Sequence, residues 1–478
     1  MFDKNIYNYL IVGSGPGGAA TAHELSKSSK NIILIEKGPY KNKNHKQYSP
    51  EEINRCAYQS GISSTIGKGG LTYTTGTCVG GGSEINSGFY YELPLEIFKK
   101  WKKIIKNLDY EVLKKNFYEI KKKLGINKIK KEGLSSQILL KGSKKLKLVS
   151  EIVPRWIKSS LIIRNNKKIW KHRRYSMSNT YLKEAINRGV ELVANCEAQK
   201  IEKISNNLFK VICFIKDKKI VFYSKKIFIC AGPIFSPLLL IKSGYKKNIG
   251  TNLNFHQMTR IVAEFKDDIN EDDFGVPVRQ LNHFKKDLTI GCSVSSKKHL
   301  AVWCADHDNL FSIIENYKKY ATYYSLITSE SKGKIVAIKN LRDPIIFYDI
   351  TEKDIKKHHK GLRILSKILF LGGAKKIIIS SFEFKKKTLK EFFSYNELDL
   401  FLRKNKSFIP ELSSIHIFSS IPMGDKEIFP LTDQGELKEE KNIFINDASM
   451  LPSYTSVNPQ AIIMAFAIRN VKKILSNE

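Results

Sequence analysis

The sequence predicts an α/β fold built on a parallel sheet. This sheet is joined to a second lobe with a mixed or antiparallel sheet flanked by helices, which makes the chain α+β overall. Three observations predict it. The first forty residues follow a strand–turn–helix–strand pattern, a further buried strand with its own glycine turn lies near residue 230, and strands alternate with one long helical pattern between about 260 and 410. A chain of 478 residues is also too long for one simple core.

The first elements are a strand, a glycine turn, a helix and a second strand. "YLIVG" is a continuous apolar run, which is typical of a strand buried on both faces of a parallel sheet. "GSGPGG" follows and places Gly13, Gly15 and Gly18 in the GxGxxG spacing, with Ser14 inside the turn. "AATAHELSKSS" is the helix, whose small residues allow close packing, and "NIILIEKG" is the second strand, which ends in Glu36.

This unit predicts a Rossmann-like site for a dinucleotide. Gly13 permits the tight turn, Gly15 lets the backbone approach a pyrophosphate, and the helix start supplies N–H groups and a positive dipole end. Glu36, which lies 18 residues after Gly18, would accept hydrogen bonds from ribose hydroxyls and repel a 2′-phosphate. An ordinary glycine turn would not require an acidic residue at that place. NAD and FAD are both open at this point.

The next elements follow from apolar periodicity. Residues 91–150 are Lys-rich with the apolar residues on one helical face, which predicts a helical excursion. Residues 175–201 predict a helix followed by a strand. "KKIFICAGPIFSPLLLIKSG" predicts a buried strand, a Gly-Pro turn and a short helix, and "EKDIKKHHKGLRILSKILFLGGA" predicts one long helix in the second lobe.

A glycine-rich loop, "GTCVGGGSEINSGFYYELP", lies between the first unit and the helical excursion. Its three consecutive glycines include Gly81 and Gly82, and the polar residues Ser83 and Asn86 follow. Such a backbone can approach a planar ligand closely. A purely structural loop needs fewer glycines, so the loop indicates a cofactor site.

The C-terminal segment predicts a strand, a polar turn and a final helix. "NIFINDASMLPSYTSVNPQAIIMAFAIRNV" contains Asp447 and Ala448 after the strand, and Asn458 and Pro459 before the helix. Asn at the N-cap with Pro at the first helical position is a helix start signal, and capping alone could explain Asn458. The positive end of this helix would also favour an anionic reduced cofactor placed before it.

His416 stands alone in the apolar run "SIHIFSSIPMG". A lone histidine in such a run is more often a satisfied core residue than a catalytic one, because imidazole is intermediate in its burial preference. The run by itself therefore leaves the role of His416 open.

The formal net charge of +35 raises the question of a polyanion partner. Lysine is scattered over the whole chain, and no arginine-rich arm, zinc-finger spacing or aromatic RNA-binding signature accompanies it. Abundant Lys, Ile and Asn are typical of an AT-biased coding sequence. We therefore expect no specific nucleic-acid partner, and a basic polyanion-binding protein remains a minor alternative.

Cysteine usage and hydropathy limit the remaining classes. The seven cysteines include no CxxC, so neither a metal site nor a redox pair is indicated. The longest apolar runs are too short to span a bilayer, and the N-terminus lacks a secretory h-region. We expect reduced thiols, no transmembrane segment and a cytoplasmic protein.

Taken together, the motifs resemble those of the glucose–methanol–choline (GMC) oxidoreductases. "GSGPGG" with Glu36, "VGGGSEINSG", "CAGPIFSPLLLIKSG", "IGTNLNFH", "HIFSSIPMG" and the C-terminal segment occur in the family's order. "VNPQ" is more similar to the branch with cholesterol and long-chain alcohol oxidases, which have a His/Asn pair. The resemblance implies an FAD-binding domain from residues 1–90, 175–260 and 412–478, a lid over 91–174, and a substrate lobe over 261–411.

The resemblance also implies a role for each matching residue. His416 matches the catalytic histidine and Asn458 its partner, so His416 would be the general base while flavin N5 accepts a hydride from an alcohol, sugar or polyol. Oxygen, a quinone or another carrier would take the electrons. The FAD would be non-covalent, since the glycine-rich loop has no histidine. The cofactor-binding residues implied are Gly13, Ser14, Gly15, Gly18, Glu36, Gly81, Gly82, Ser83, Asn86, Ala198, Asp447, Ala448 and Pro459.

Two other classes compete with this interpretation. A redox-silent lyase of the same fold would hold FAD without oxidising its substrate. A basic polyanion-binding protein with a vestigial flavin fold would lack the yellow chromophore and bind DNA in a strongly salt-dependent way. "HIFSSIPMG" lacks the Gly-Thr-Cys common after the histidine in this family, and the lid matches no branch closely, so the substrate stays open.

Overall fold

The computed structural model of the protein is built around two large β-sheets and describes residues 6–40, 50–61, 63–129, 132–164, 167–270, 275–281, 284, 287–339, 341–383 and 386–477. The strands in chain order are β1 (Ile6–Val12), β2 (Ile32–Ile35), β3 (Ser63–Ser64), β4 (Thr72–Tyr73), β5 (Ser150–Ile152), β6 (Ile157–Arg164), β7 (Lys167–Arg174), β8 (Glu191–Val193), β9 (Glu197–Ser205), β10 (Leu208–Ile215), β11 (Lys218–Ile229), β12 (Asn254–Phe265), β13 (Arg279–Leu281), β14 (Leu288–Cys292), β15 (Tyr320–Thr328), β16 (Gly333–Val336), β17 (Ile345–Tyr348), β18 (Ala374–Glu383), β19 (Lys386–Phe392), β20 (Ser413–Ser414), β21 (Ile417–Phe418) and β22 (Ile443–Ile445).

The helices surround these sheets and connect their strands. In chain order they are α1 (Pro16–Leu25), α2 (Pro50–Cys56), α3 (Leu95–Lys102), α4 (Tyr110–Lys123), α5 (Leu134–Lys145), α6 (Tyr181–Asn187), α7 (Gly232–Lys242), α8 (Lys297–Trp303), α9 (Leu310–Glu315), α10 (Glu352–Gly372), α11 (Tyr395–Lys404) and α12 (Gln460–Ser476). Among the helices of the described residues, none is both long enough and apolar enough to cross a bilayer.

The first sheet confirms the predicted parallel unit. Its strands follow the order β8–β2–β1–β11–β10–β9, with β22 beside β11. β1 pairs in parallel with both β2 and β11, and β2 pairs in parallel with β8. Leu10, Ile11, Ile33 and Leu34 are fully buried, as the continuous apolar runs predicted. The α/β fold class is therefore confirmed.

The second sheet is mixed and mostly antiparallel. It runs β3–β4–β20–β12–β15–β14–β13–β5, and β18 and β21 also pair with β12. Ile261 and Ala263 of β12 share a buried core with Leu362 and Leu365 of α10, the predicted long helix. Because side chains alternate across a strand, the even-numbered residues of β12 lie on the opposite face, which borders the cavities described below.

The lid region contains more than helices. α3, α4 and α5 confirm the helical excursion within residues 91–150, while β6 and β7 form an antiparallel hairpin further along. The second sheet also takes β3, β4 and the start of β12 from segments that the sequence assigned to the FAD-binding domain. The division into three domains stays a prediction.

Candidate functional site

The turn after β1 has the backbone geometry that its glycines predicted. Gly13 has φ +99°, and a Cβ there would lie 2.4 Å from the carbonyl oxygen of Cys230. A Cβ on Gly18 would lie 1.9 Å from the carbonyl oxygen of Gly13, so α1 packs too closely on the turn for any side chain. Gly15 differs, because the nearest atom that a Cβ there would meet is the Cα of Gly81, at 4.0 Å. It leaves the start of α1 open to a cavity.

Glu36 is fixed at the end of β2 by three hydrogen bonds. Its Oε2 accepts from the Ser14 backbone N–H at 2.9 Å and from the Ser14 hydroxyl at 2.7 Å, and its Oε1 accepts from the Gly38 N–H at 2.9 Å. Burial raises the pKa of Glu36, and these hydrogen bonds offset part of that effect. Ser14 is fully buried and does not line the cavity. Its contribution is to hold the Glu36 carboxylate in place.

We expect Glu36→Gln to weaken FAD binding about 10- to 100-fold, since hydrogen bonds to a charged group contribute roughly 1.5–3 kcal/mol. Glu36→Arg would weaken it further, but it would also bury the Ser14 and Gly38 N–H groups without an acceptor and so destabilise the fold. Titration of apoprotein with FAD, alongside its melting curve, separates the two effects. Glu24→Gln, in a buried residue of α1 outside the cavity, is the control. Unchanged affinity in Glu36→Gln would show that Glu36 has no part in binding.

The glycine-rich loop lies against the same turn. Gly81 has φ +55°, and a Cβ there would lie 2.7 Å from the Cα of Gly15, so the two backbones meet at the cavity. Asn86 also lines the cavity and donates from Nδ2 to Oε1 of Gln460 at 2.6 Å. Ser83 does not line the cavity, because its hydroxyl donates to the carbonyl oxygen of Gly80 at 2.7 Å.

Asp447 holds the turn between β22 and α12 in place. Its Oδ2 accepts from the Gly232 N–H at 2.8 Å and from the Ser236 hydroxyl at 2.5 Å, and its Oδ1 accepts from the Ser449 N–H at 2.7 Å. Burial raises the pKa of Asp447 despite these contacts. The carboxylate thereby ties the start of α7 to the C-terminal segment beside the cavity.

A cavity of about 720 Å³ connects these parts. It brings together twelve of the fifteen predicted site residues, and Ser14, Gly18 and Ser83 support it from behind. A glycine-lined wall that a Cβ would fill and a buried carboxylate at the second strand end fit an extended dinucleotide. The lining residues that the sequence predicted are Gly13, Gly15, Glu36, Gly81, Gly82, Asn86, Ala198, His416, Asp447, Ala448, Asn458 and Pro459.

His416 lies between β20 and β21 and has a polar partner at each ring nitrogen. Nε2 is 3.1 Å from Nδ2 of Asn458, and Nδ1 is 3.2 Å from Nδ1 of His256. With the Asn458 amide donating to Nε2, the Nδ1–H of His416 donates to His256. Burial lowers the pKa of His416 to about 4, so the imidazole is neutral at pH 7. The residue is only partly buried, and it lines the cavity.

The structure corrects the predicted helix start at Asn458. α12 begins at Gln460, Pro459 occupies the N-cap position, and no side chain caps this helix. Asn458 instead directs its amide to His416. The capping explanation for Asn458 is therefore wrong, and its contact with the histidine takes its place.

His256 is a site residue that the sequence did not assign. It is 1% exposed, its Nε2 has no hydrogen-bond partner among the described residues, and burial lowers its pKa well below the ordinary value. The available signal was its position at the end of the motif "IGTNLNFH". Only the pairing of β12 with β21, across about 160 residues, shows that it contacts His416.

A second cavity, of about 390 Å³, adjoins the first at His416, Asn458 and Arg260, which line both. Its floor is the face of the second sheet that carries His256 and Met258 of β12. Residues 87–95 and 456–458 contribute to the remaining wall. The histidine and its asparagine partner thus stand between a dinucleotide-sized cavity and a smaller one.

The comparisons with known proteins point to one family. Two family models described as GMC oxidoreductase match residues 7–258 and 330–467. An uncharacterized GMC-type oxidoreductase of Sinorhizobium fredii is 27% identical over 98% of this chain and 94% of its own length. A long-chain-alcohol oxidase of Arabidopsis thaliana is 24% identical over 98% of this chain and 67% of its own length. The solved structure of pyridoxine 4-oxidase from Mesorbium loti superposes with a TM-score of 0.74 at 15% identity, over 99% of this chain and 100% of that chain. At this identity the likeness shows a shared fold alone.

Proposed function

The chain belongs to the GMC oxidoreductase family, flavin-dependent enzymes that act on CH–OH donors, and we propose that it oxidises an alcohol, sugar or polyol to the carbonyl compound with FAD in the larger cavity. His416 is the proposed general base and Asn458 its partner. The observation that carries the proposal is their 3.1 Å contact at the place where the two cavities meet. Oxygen, a quinone or another carrier would take the electrons.

Each part of FAD has residues that fit it. The start of α1 with Gly15 and Gly81 would hold the pyrophosphate, and Glu36 with the backbone at Ala198 would hold the adenosine. Asp447 and Ala448 would lie beside the ribityl chain. In this proposal residues 1–90, 175–260 and 412–478 form the FAD-binding domain, 91–174 the lid and 261–411 the substrate lobe.

The reaction removes a proton from the hydroxyl and a hydride from the carbon, which together carry two electrons. Bound FAD supplies the hydride acceptor. His416 takes the hydroxyl proton at Nε2, because its depressed pKa keeps this nitrogen unprotonated at neutral pH. Because Nε2 has one lone pair, the Asn458 amide that donates to it in the free protein would transfer its hydrogen bond to the substrate oxygen when the hydroxyl binds. His256 stabilises the charged imidazole from the other side.

We propose that the FAD is non-covalent. The glycine-rich loop contains no histidine, and its one thiol, Cys78, is fully buried with its pKa raised by a contact with Cys56 and by burial. A protonated, inaccessible thiol is a poor nucleophile. Acid denaturation should therefore release all of the flavin, and flavin retained by the polypeptide would contradict this part of the proposal.

The proposed activity is tested by anaerobic flavin reduction with a panel of primary alcohols, sugars and polyols. Bleaching of the flavin by one member identifies an oxidation and excludes a redox-silent lyase. Re-oxidation by oxygen or by a quinone then identifies the electron acceptor. A purified protein without a yellow chromophore that binds DNA in a salt-dependent manner would refute the proposal in favour of polyanion binding.

The rate of flavin reduction is expected to rise with pH through the pKa of His416 and then stay constant. The base acts when unprotonated, and burial lowers its pKa to about 4. The limiting rate should therefore be flat from about pH 6 to 9 and fall at lower pH, where the imidazole is protonated. Stopped-flow measurements at saturating substrate give this profile. A midpoint near or above pH 7 would contradict the assignment of the neutral imidazole.

A further inference from the structure

One cation beside the proposed reaction site, Arg260, is in no direct ion pair with a carboxylate of the described residues. Arg260 lines both cavities, its guanidinium carbon lies 3.9 Å from the centroid of the Trp303 ring, and one of its N–H groups donates to the Ser413 hydroxyl. Its Nε has no hydrogen-bond partner within the described part of the chain, and the nearby carboxylate of Glu411 offsets only part of the cost of burying its charge. Burial lowers its pKa to about 10, with Glu411 opposing the shift, so it remains charged at neutral pH.

A half-buried guanidinium with a buried, unsatisfied Nε and no direct ion pair is costly unless something else satisfies it. The Trp303 ring and the Ser413 hydroxyl satisfy it only in part, because neither neutralises its charge. Because Arg260 lines both cavities, a ligand bound in them can supply the missing hydrogen-bond acceptor. A carboxylate or phosphate matches the planar fork of a guanidinium through two parallel hydrogen bonds.

The register of β12 sets the distance between this cation and the reacting group. His256 and Arg260 project from the same face of the strand, four residues apart. The guanidinium leans towards Ser413, which pairs with Met258, so it lies about two residues, or roughly 7 Å, along the strand from the histidines. The negative group would thus be several bonds away from the carbon that is oxidised.

The rest of the cavity floor supports a compact polar ligand. Tyr91 donates its hydroxyl hydrogen to Oε1 of Gln280, whose Nε2 donates to the hydroxyl oxygen of Tyr324. That leaves the Tyr324 hydroxyl hydrogen available to a ligand. A Cβ on Gly291 would lie 2.6 Å from the Tyr324 hydroxyl oxygen, so glycine is required to seat this ring.

Two carboxylates also line the smaller cavity. One lies away from Arg260, and the other already accepts a hydrogen bond. Glu151 is on β5, four strands across the sheet from β12, or about 19 Å. Glu92 lies on the covering loop and accepts from the Tyr90 hydroxyl at 3.0 Å. The positive charge is therefore concentrated at the β12 side of the cavity, next to His416.

We propose that the substrate is an alcohol that carries a carboxylate or phosphate group, which Arg260 binds while the hydroxyl lies between His416 and Asn458. The inference rests on the proposed alcohol oxidation and adds the substrate class to it. Oxidation removes a hydride and the hydroxyl proton and leaves the anionic group unchanged.

Matched alcohols test the inference. In anaerobic stopped-flow reduction of the holoprotein, we expect 6-hydroxyhexanoate to exceed its neutral methyl ester by about 10- to 100-fold in reduction rate constant over Kd. The same ratio is measured for the phosphate monoester of 1,6-hexanediol over hexanol. Its size relative to the acid-to-ester ratio decides between carboxylate and phosphate. Arg260→Met should bring the acid-to-ester ratio close to one, and Arg260→Lys should keep part of it because the charge remains.

Arg403→Met is the matched control, because it removes one exposed arginine that lines neither cavity. It should keep the wild-type acid-to-ester ratio, which excludes a general effect of net charge. Flavin content and melting temperature establish that each variant is folded; if Arg260→Met is not, Arg260→Lys carries the test. An equal or greater rate with the neutral ester in the wild type, or an acid preference that survives in Arg260→Met, would overturn the inference.

A binding measurement separates this inference from the proposed reaction. Calorimetric titration of the oxidised holoprotein with hexanoate and hexanamide needs no turnover. Arg260-dependent binding of hexanoate without reduction by any alcohol would support the anion site and refute the oxidation. Reduction by neutral alcohols, with hexanoate bound no better than hexanamide, would support the oxidation and refute the anion site.

Discussion

Replacing His416 with alanine is expected to leave FAD bound and to slow flavin reduction by about 10²–10⁴-fold, the usual cost of removing a general base. The physical reason is the loss of the only neutral imidazole nitrogen in the described structure that lies beside both cavities and beside Asn458. FAD binding should persist, because the hydrogen bonds and close contacts at the dinucleotide turn involve other residues. Stopped-flow reduction and flavin content measure the two effects separately.

His307→Ala is the control for the loss of an imidazole as such. His307 bonds to Glu391 at 2.8 Å and lines neither cavity. The control variant should therefore reduce its flavin at the wild-type rate. A wild-type rate of flavin reduction in His416→Ala as well would show that His416 is only a core histidine. The proposed mechanism would then have no base.

The turn geometry of the site could be predicted from the sequence because it is local. Gly13 and Gly18 are required by a positive φ and by close backbone contacts, and such requirements leave a pattern in adjacent residues. Glu36 follows at the end of the next strand, where parallel pairing with β1 fixes its place. The same reasoning explains why β1, α1 and β2 appear where the sequence placed them.

The contacts between distant segments could not be predicted in this way. The His256–His416 contact depends on the antiparallel register of β12 and β21, and no local pattern encodes that register. The family resemblance implied that Ser14 and Ser83 bind the cofactor. Their hydroxyls instead bond to Glu36 and to the Gly80 carbonyl oxygen, because each is directed into the protein by its own turn.

Asn458 shows why a residue pattern can support two roles that only tertiary structure distinguishes. Asn followed by Pro is typical of a helix start, but α12 has no side-chain cap and begins after Pro459. The amide is instead 3.1 Å from His416. We expect Asn458→Ala to slow flavin reduction by roughly 10²–10³-fold, as for the removal of one donor that holds a reacting oxygen.

A true helix cap in the same protein provides the contrast. Ser394 accepts a hydrogen bond from the Glu397 N–H at 3.2 Å and caps α11, and it lines neither cavity. Ser394→Ala should lose about 0.5–2 kcal/mol of unfolding free energy and keep the wild-type rate of flavin reduction. Asn458→Ala should do the reverse, with slow reduction and a nearly unchanged melting temperature. If Asn458→Ala were destabilised like Ser394→Ala and reduced its flavin normally, the amide would have no part in the reaction, and the contact with His416 would serve only to orient the imidazole.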